Sequence, residues 1–172
     1  MAPTKEPPAS TPSKPSSLAF SLPFLYRVFF LFIEPVSVLV GAYYSHFNQH
    51  EYLKLTHAAS APSLIPLGTT IAMSQLANMY LFFALNEALV LRCTADIRVW
   101  KAVLFCLLVG DFGHLYTVRH LGPEIYWSVT KWNAIDWGNI PFVYLGATMR
   151  LAFLADVGLG VKRRKLTKKR TA

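Results

Sequence analysis

Acidic and imidazole side chains lie inside long apolar stretches of this chain, where they are the groups best able to do chemistry. Asp111 and His114 are three residues apart, so a helix places them one turn apart on one face. A buried Asp with a His beside it can hand over and accept a proton near neutral pH, as general acid–base catalysis requires. We therefore expect Asp111, Asp136 and His114 to be the catalytic residues.

Amide and aromatic side chains in the neighbouring segments are candidates for orienting a substrate or a water molecule. These candidates are Gln75, Asn78, Asn139 and Trp137. At 1.5 Å of helix rise per residue, they lie at a depth similar to that of the three catalytic candidates. The sequence therefore predicts one polar layer in the half of the membrane that faces away from the chain termini.

A second set of ionisable residues belongs to the other half of the membrane. Glu87 and Arg150 are predicted to form a structural ion pair there. Glu34 lies between the two layers, and Pro35 after it frees a backbone carbonyl and kinks the helix. Buried hydrogen bonds also hold helices together in membranes, so a purely structural polar network stays open as the alternative to a catalytic site.

The composition is that of a membrane protein. The chain has 172 residues, of which 53% are hydrophobic and 15% charged, with a formal net charge of +8; soluble domains carry about 25% charged residues. Four apolar segments, residues 24–47, 69–91, 99–118 and 135–157, each reach the roughly 20 residues needed to cross a bilayer. We expect an all-α, integral membrane four-helix bundle.

The rest of the chain forms two tails around this four-span domain of residues 24–157. Residues 1–23 are rich in Pro and Ser, which predicts disorder. Residues 158–172 form a basic tail, and its last residues resemble a dilysine retrieval signal of the endoplasmic reticulum. With four spans, 13 Lys and Arg residues lie on the side of the termini and three on the other, so both termini are expected in the cytosol.

The basic tail next to apolar segments is typical of contact with anionic lipid, so we expect membrane lipid and no nucleic acid as a partner. No metal and no cofactor is expected, because the five histidines do not form the boxes of membrane di-iron enzymes. His46 and His50 have a spacing that binds zinc, but both are expected to be polar residues at the membrane interface. Phosphate-binding loops and serine-hydrolase motifs are absent from the sequence.

Four motifs give the chain a family resemblance, and they occupy residues 29–35, 85–88, 110–114 and 132–139. Over roughly residues 23–155 the chain resembles a fungal family of small four-span membrane proteins of unknown function, whose members look like accessory proteins of secondary-metabolite pathways. In architecture it is more loosely similar to membrane-bound meroterpenoid cyclases, to the emopamil-binding-protein group and to small membrane epoxide hydrolases. The cyclases and the emopamil-binding group use buried carboxylates to protonate an epoxide or an alkene.

The polar layer and the resemblance together favour an enzyme of the endoplasmic reticulum membrane. It would admit an apolar polyketide or terpenoid from the bilayer and then open an epoxide, by hydrolysis or cyclisation, or isomerise the molecule. Other enzymes of the same pathway are possible partners. The alternative is a non-enzymatic protein that binds lipids or metabolites, or a membrane scaffold.

The first prediction concerns topology. Glycosylation acceptor sites introduced into residues 48–68 and 119–134 should be modified in cells, because both segments are expected on the lumenal side. Modification of an acceptor placed after residue 161 would contradict the predicted orientation.

Overall fold

The computed structural model describes residues 22–160, and all the regular secondary structure there is helical. The helices are α1 (Phe24–Phe47), α2 (Gln49–His57), α3 (Leu67–Cys93), α4 (Ile97–Leu121), α5 (Ala134–Asn139) and α6 (Pro141–Leu154). The predicted all-α fold is confirmed. Most of the predicted N-terminal tail and the basic tail from residue 161 lie outside the described residues.

Three helices within residues 22–160 are long and apolar enough to cross a membrane. They are α1, α3 and α4, with 24, 27 and 25 residues. The fourth apolar segment is divided into α5 and α6 at Ile140, whose φ and ψ are −115° and −74°. Pro141 follows the break and has no amide hydrogen to continue the helical hydrogen bonds. The prediction of four continuous spans is therefore not confirmed, although a membrane protein is supported.

Both α1 and α3 contain one turn of π-helix, at Phe29–Ile33 and at Asn86–Val90. A π-turn accommodates one extra residue and rotates the side chains that follow it. In α1 the turn precedes Pro35, which cannot donate a hydrogen bond to the Leu31 carbonyl one turn earlier. The Arg92 guanidinium of α3 donates to that carbonyl instead. The irregular turn of α1 is thus tied to α3.

An aromatic core joins α1, α4 and α6 at the end of the bundle where the described chain begins. Phe30 is fully buried and meets Phe153 edge to face, with 6.2 Å between ring centroids. Trp100 stacks on the other side of Phe153 at 5.6 Å. The Tyr26 hydroxyl donates to the Val157 carbonyl at 2.9 Å, so the start of α1 is fixed to the chain after α6.

The short helix α2 holds the opposite end of the bundle together. The hydroxyls of Tyr52 and Tyr80 are hydrogen-bonded at 3.1 Å, which joins α2 to α3. The side-chain amide of Asn133, just before α5, donates to the Leu55 carbonyl at 2.7 Å. α2 therefore connects the α1–α3 pair to the segment that leads into α5 and α6.

The second prediction tests the aromatic core. Replacing the buried Phe30 by Ala should lower the free energy of unfolding by about 3–5 kcal/mol, because it leaves a cavity among packed rings. The matched control is Phe24→Ala, since Phe24 is 79% exposed within the described chain. Denaturant unfolding of the purified variants in detergent measures the free energy of unfolding of each. Equal losses of stability in Phe30→Ala and Phe24→Ala would contradict the assignment of the core.

Candidate functional site

A single arginine of α6 binds carboxyl groups from three other helices. Arg150 Nη1 donates to Asp111 Oδ2 of α4 at 2.7 Å, and Nη2 contacts Glu87 Oε1 of α3 at 3.2 Å. The same Nη2 forms a very short contact with Glu34 Oε1 of α1. We refer to Glu34, Glu87, Asp111 and Arg150 as the Arg150 cluster. The Glu87–Arg150 contact matches the ion pair predicted from the sequence, whereas Glu34 and Asp111 were not predicted to join it.

The cluster lies deep within the helices and is nearly closed to the surroundings. The side chains of Arg150 and Glu87 are 3% and 1% exposed, and Glu34 is 7% exposed. Asp111 is the most accessible member at 13%. Glu34 is ten residues from the start of α1, about 15 Å at the usual helical rise. In a membrane this depth corresponds to the hydrocarbon region, where unpaired charges are costly.

The π-turns of α1 and α3 aim two of the acids at Arg150. Glu34 follows the π-turn of α1 directly, and Glu87 lies within that of α3. Their two Oε2 atoms and the Arg150 Nε are buried and have no hydrogen-bond partner within residues 22–160. The cluster thus holds more carboxylate oxygens than its guanidinium can satisfy.

Gly146 provides the space that the cluster needs. It is buried one turn before Arg150 on α6, and a Cβ atom there would lie 2.7 Å from Arg150 Nη1 and 3.4 Å from Glu34 Oε1. No side chain other than hydrogen can occupy this position without displacing the guanidinium. Gly146 is not among the residues predicted from the sequence, because nothing in its sequence neighbours indicates that a guanidinium lies against it.

His114 is separate from Asp111 in the described structure. The two residues share a face of α4, but no hydrogen bond joins them among residues 22–160, where the Asp111 carboxylate binds Arg150 instead. The His114 ring interacts with the backbone of Asn139 in α5, and its Nε2 is buried without a hydrogen-bond partner in the same region. The Asp111–His114 pair expected from the spacing is therefore replaced by two separate contacts.

Asp136 is the third residue of α5 and pairs with the N-cap residue Asn133. Its Oδ2 accepts a hydrogen bond from the Asn133 amide at 3.0 Å, while Asn133 Oδ1 accepts from the Ile135 and Asp136 amides. This reciprocal arrangement is a capping box. Asp136 precedes Arg150 by 14 residues, roughly 20 Å along the helices. Asp111 and Asp136 are thus not brought to one site.

The expected substrate-orienting residues do not surround one centre either. Gln75, Asn78 and Trp137 are exposed on the surface of the helices, and Asn139 is half-buried. Of the residues predicted to form one polar layer, His114 and Asn139 are brought into contact, and the membership of the others stays a prediction.

Within residues 22–160, no group of three or more His, Cys, Asp or Glu side chains has a geometry that could hold a metal ion. The three carboxyl groups of the Arg150 cluster instead meet a guanidinium. The chemistry available to them is ion pairing, hydrogen bonding and proton transfer.

Comparison with known proteins identifies a family of domains. A family model described as a domain of unknown function (DUF7704) matches residues 19–160, which is most of the chain and contains every member of the Arg150 cluster. Neither a curated protein nor a solved structure matches the chain.

The third prediction concerns Gly146. Gly146→Ala should destabilise the protein by about 1–3 kcal/mol, the usual cost of forcing a methyl group into a packed site. Gly113→Ala is the control, because a Cβ at Gly113 meets nothing within 4 Å in the described structure. Unfolding of both variants in detergent measures the difference. A Gly146→Ala protein as stable as Gly113→Ala would contradict the tight packing around Arg150.

Proposed function

The chain belongs to the family described as a domain of unknown function (DUF7704), and from its Arg150 cluster we propose a membrane-embedded enzyme that acts on an apolar molecule by acid–base catalysis. The observation that carries this proposal is the meeting of three carboxyl groups with one buried guanidinium. A purely structural ion pair needs one acid for one arginine. The additional acids supply groups that can hold and transfer protons.

Charge balance supports this role. One guanidinium neutralises one carboxylate, and net charge is strongly disfavoured in an apolar interior. A neutral cluster therefore carries two protons on its three carboxyl groups. A carboxyl group that apolar surroundings keep protonated near neutral pH is a suitable general acid, because it holds a proton that it can donate to a bound substrate.

Asp111 is the group we assign to proton donation. It is the most exposed member of the cluster, and Gly110 and Gly113 beside it on α4 are exposed, with open space where a Cβ would lie. An apolar molecule in the bilayer can approach the Asp111 carboxyl over these glycines. Glu34 and Glu87 contact the same guanidinium and are less exposed than Asp111, and they would complete the charge balance of the cluster while Asp111 exchanges its proton with the substrate.

The reaction we favour is the opening of an epoxide. Protonation of the epoxide oxygen by Asp111 weakens a C–O bond, which breaks as water or an alkene of the same molecule attacks the carbon. The proton released by the attacking group passes to a carboxylate, so the enzyme returns to its starting state. Alkene isomerisation needs the same groups, since a proton is added at one carbon and removed from another. The resemblance to membrane cyclases and to the emopamil-binding group supports both reactions.

We place this site in a protein with four membrane crossings. α5 and α6 together span residues 134–154, about 30 Å at 1.5 Å per residue, which matches the hydrocarbon thickness despite the break. The distribution of Lys and Arg supports cytosolic termini. The endoplasmic reticulum of a fungal cell, an apolar metabolite as substrate and neighbouring pathway enzymes as partners complete the proposal.

A second candidate is a scaffold or binding protein in which the Arg150 cluster only fixes the bundle. It is favoured by the fact that every acid of the cluster contacts the same guanidinium. The two candidates differ in what Asp111→Asn does. Asparagine keeps the shape and one acceptor oxygen of Asp111 but cannot exchange a proton.

The fourth prediction distinguishes the enzyme from the scaffold or binding protein. Asp111→Asn should abolish the reaction, with at least a hundredfold loss of product, while the protein stays inserted at normal abundance. The measurement compares apolar metabolites, by mass spectrometry, in a gene-deletion strain of the source organism that carries either the wild-type or the variant gene. Growth in H₂¹⁸O distinguishes hydrolysis, which incorporates the label, from isomerisation, which does not.

The matched control is Glu124→Gln. Glu124 forms an exposed ion pair with Lys131 outside the membrane-spanning helices, and this pairing lowers the pKa of Glu124. The control variant should leave the metabolites unchanged. A wild-type metabolite profile from the Asp111→Asn strain would exclude the enzyme proposal and leave the scaffold as the better explanation.

A further inference from the structure

A groove with a volume of about 330 Å³ lies between α1 and α3, on the outside of the bundle. Its apolar wall includes Leu39 of α1 and Ala77 and Leu81 of α3. The volume falls within the range of small-molecule sites in proteins. None of the residues that line the groove belongs to the Arg150 cluster, so this surface is separate from the proposed reaction site.

Polar side chains at the rim of this groove have no hydrogen-bond partner in the described chain. Asn78 is exposed on α3, and its amide forms no side-chain hydrogen bond among residues 22–160. The imidazole of His46 is exposed too, and its only recorded contact there is with the ring of Phe47. An amide that faces lipid without a partner is unfavourable by a few kcal/mol. A bound molecule that supplies the missing hydrogen bonds removes this penalty.

The polar and apolar parts of the groove follow the direction of the helices. His46 and Tyr43 lie in the last turns of α1, which ends at Phe47. Leu39 lies eight residues before that end, about 12 Å deeper at the usual helical rise. Gly41 allows the Tyr80 ring of α3 to approach closely, which brings this part of the two helices together. The groove therefore has a polar end near the end of α1 and an apolar end towards the middle of the membrane.

The lining residues also indicate the kind of head group. They include no Lys, Arg, Asp or Glu, so a phosphate or ammonium head group would meet no opposite charge. The amide of Asn78 and the imidazole of His46 each offer a hydrogen-bond donor and an acceptor. A neutral hydroxyl, which is both donor and acceptor, matches this pair.

We propose that the groove between α1 and α3 binds a membrane amphiphile with a single hydroxyl group. The hydroxyl is hydrogen-bonded by Asn78 and His46, and the apolar part of the molecule lies along Leu39 and Leu81 towards the middle of the bilayer. This binding site does not depend on the enzyme proposed above, since it shares no residue with the Arg150 cluster.

The test uses the full-length protein in lipid nanodiscs and two photoreactive probes. One probe is octadecanol with a diazirine in its chain, and the other is the matching octadecane without the hydroxyl. After irradiation, peptide mass spectrometry locates the adducts. We expect the alcohol to label α1 and α3 around Leu39 and Leu81 at least fivefold more than the alkane, and excess unlabelled octadecanol to suppress this labelling.

Variants of α3 assign the hydroxyl to its partner. Asn78→Leu should reduce labelling by the alcohol about twofold, towards the level of the alkane, because one of the two hydrogen bonds to the hydroxyl is lost. The matched control Gln75→Leu removes another exposed amide of α3 that does not line the groove, and it should leave labelling unchanged. His46→Phe, a change in α1, should also reduce labelling by the alcohol, because it removes the other hydrogen-bond partner of the hydroxyl.

Three results would overturn the proposal. Equal labelling by alcohol and alkane would show that the hydroxyl is not recognised. Equal losses from Gln75→Leu and Asn78→Leu would show that Asn78 has no special role. Absence of labelling at the groove, together with a dimer in size measurements, would make a second copy of the chain its occupant.

Discussion

Burial of the Arg150 guanidinium is the interaction on which the arrangement of the membrane helices depends. A cation in an apolar interior is tolerated only when acids and hydrogen-bond acceptors surround it. Glu34, Glu87 and Asp111 supply these acceptors from α1, α3 and α4, so the guanidinium of α6 links four helices at one point. Loss of this contact would leave acids buried without a partner on three helices at once.

Local irregularities of the backbone make that convergence possible. The π-turn before Glu34 and the π-turn that contains Glu87 turn both acids towards α6. Gly146 leaves the space into which the guanidinium fits. Pro35, just after the π-turn of α1, leaves the Leu31 carbonyl without its helical partner, and Arg92 of α3 binds this carbonyl. Departures from regular helix geometry therefore concentrate around the charged centre, as is frequent at functional sites.

The two ends of the bundle are stabilised in different ways. Near the start of α1, aromatic rings pack around Phe30 and Phe153, so the apolar core lies next to the charged cluster. At the other end, side-chain hydrogen bonds predominate, as in the Tyr52–Tyr80 pair and the Asn133 contact with α2. The rigid end positions the acids, while the polar end carries the groove with its unpartnered Asn78 and His46.

The sequence by itself determined the helical class and the membrane character, because both follow from long apolar runs that bury backbone hydrogen bonds within helices. It also indicated that Glu87 and Arg150 attract each other, since an isolated charge at that depth is unfavourable. Only the tertiary structure decided that Glu34 and Asp111 share the same arginine and that Asp136 forms a capping box with Asn133 at the start of α5. The physical reason is that the regular periodicity of 100° per residue fails at a π-turn or a proline break, and Glu34, Glu87 and Arg150 lie at or after such points. The contact of Asp111 with Arg150 depends instead on the packing of α4 against α6, which local sequence does not specify.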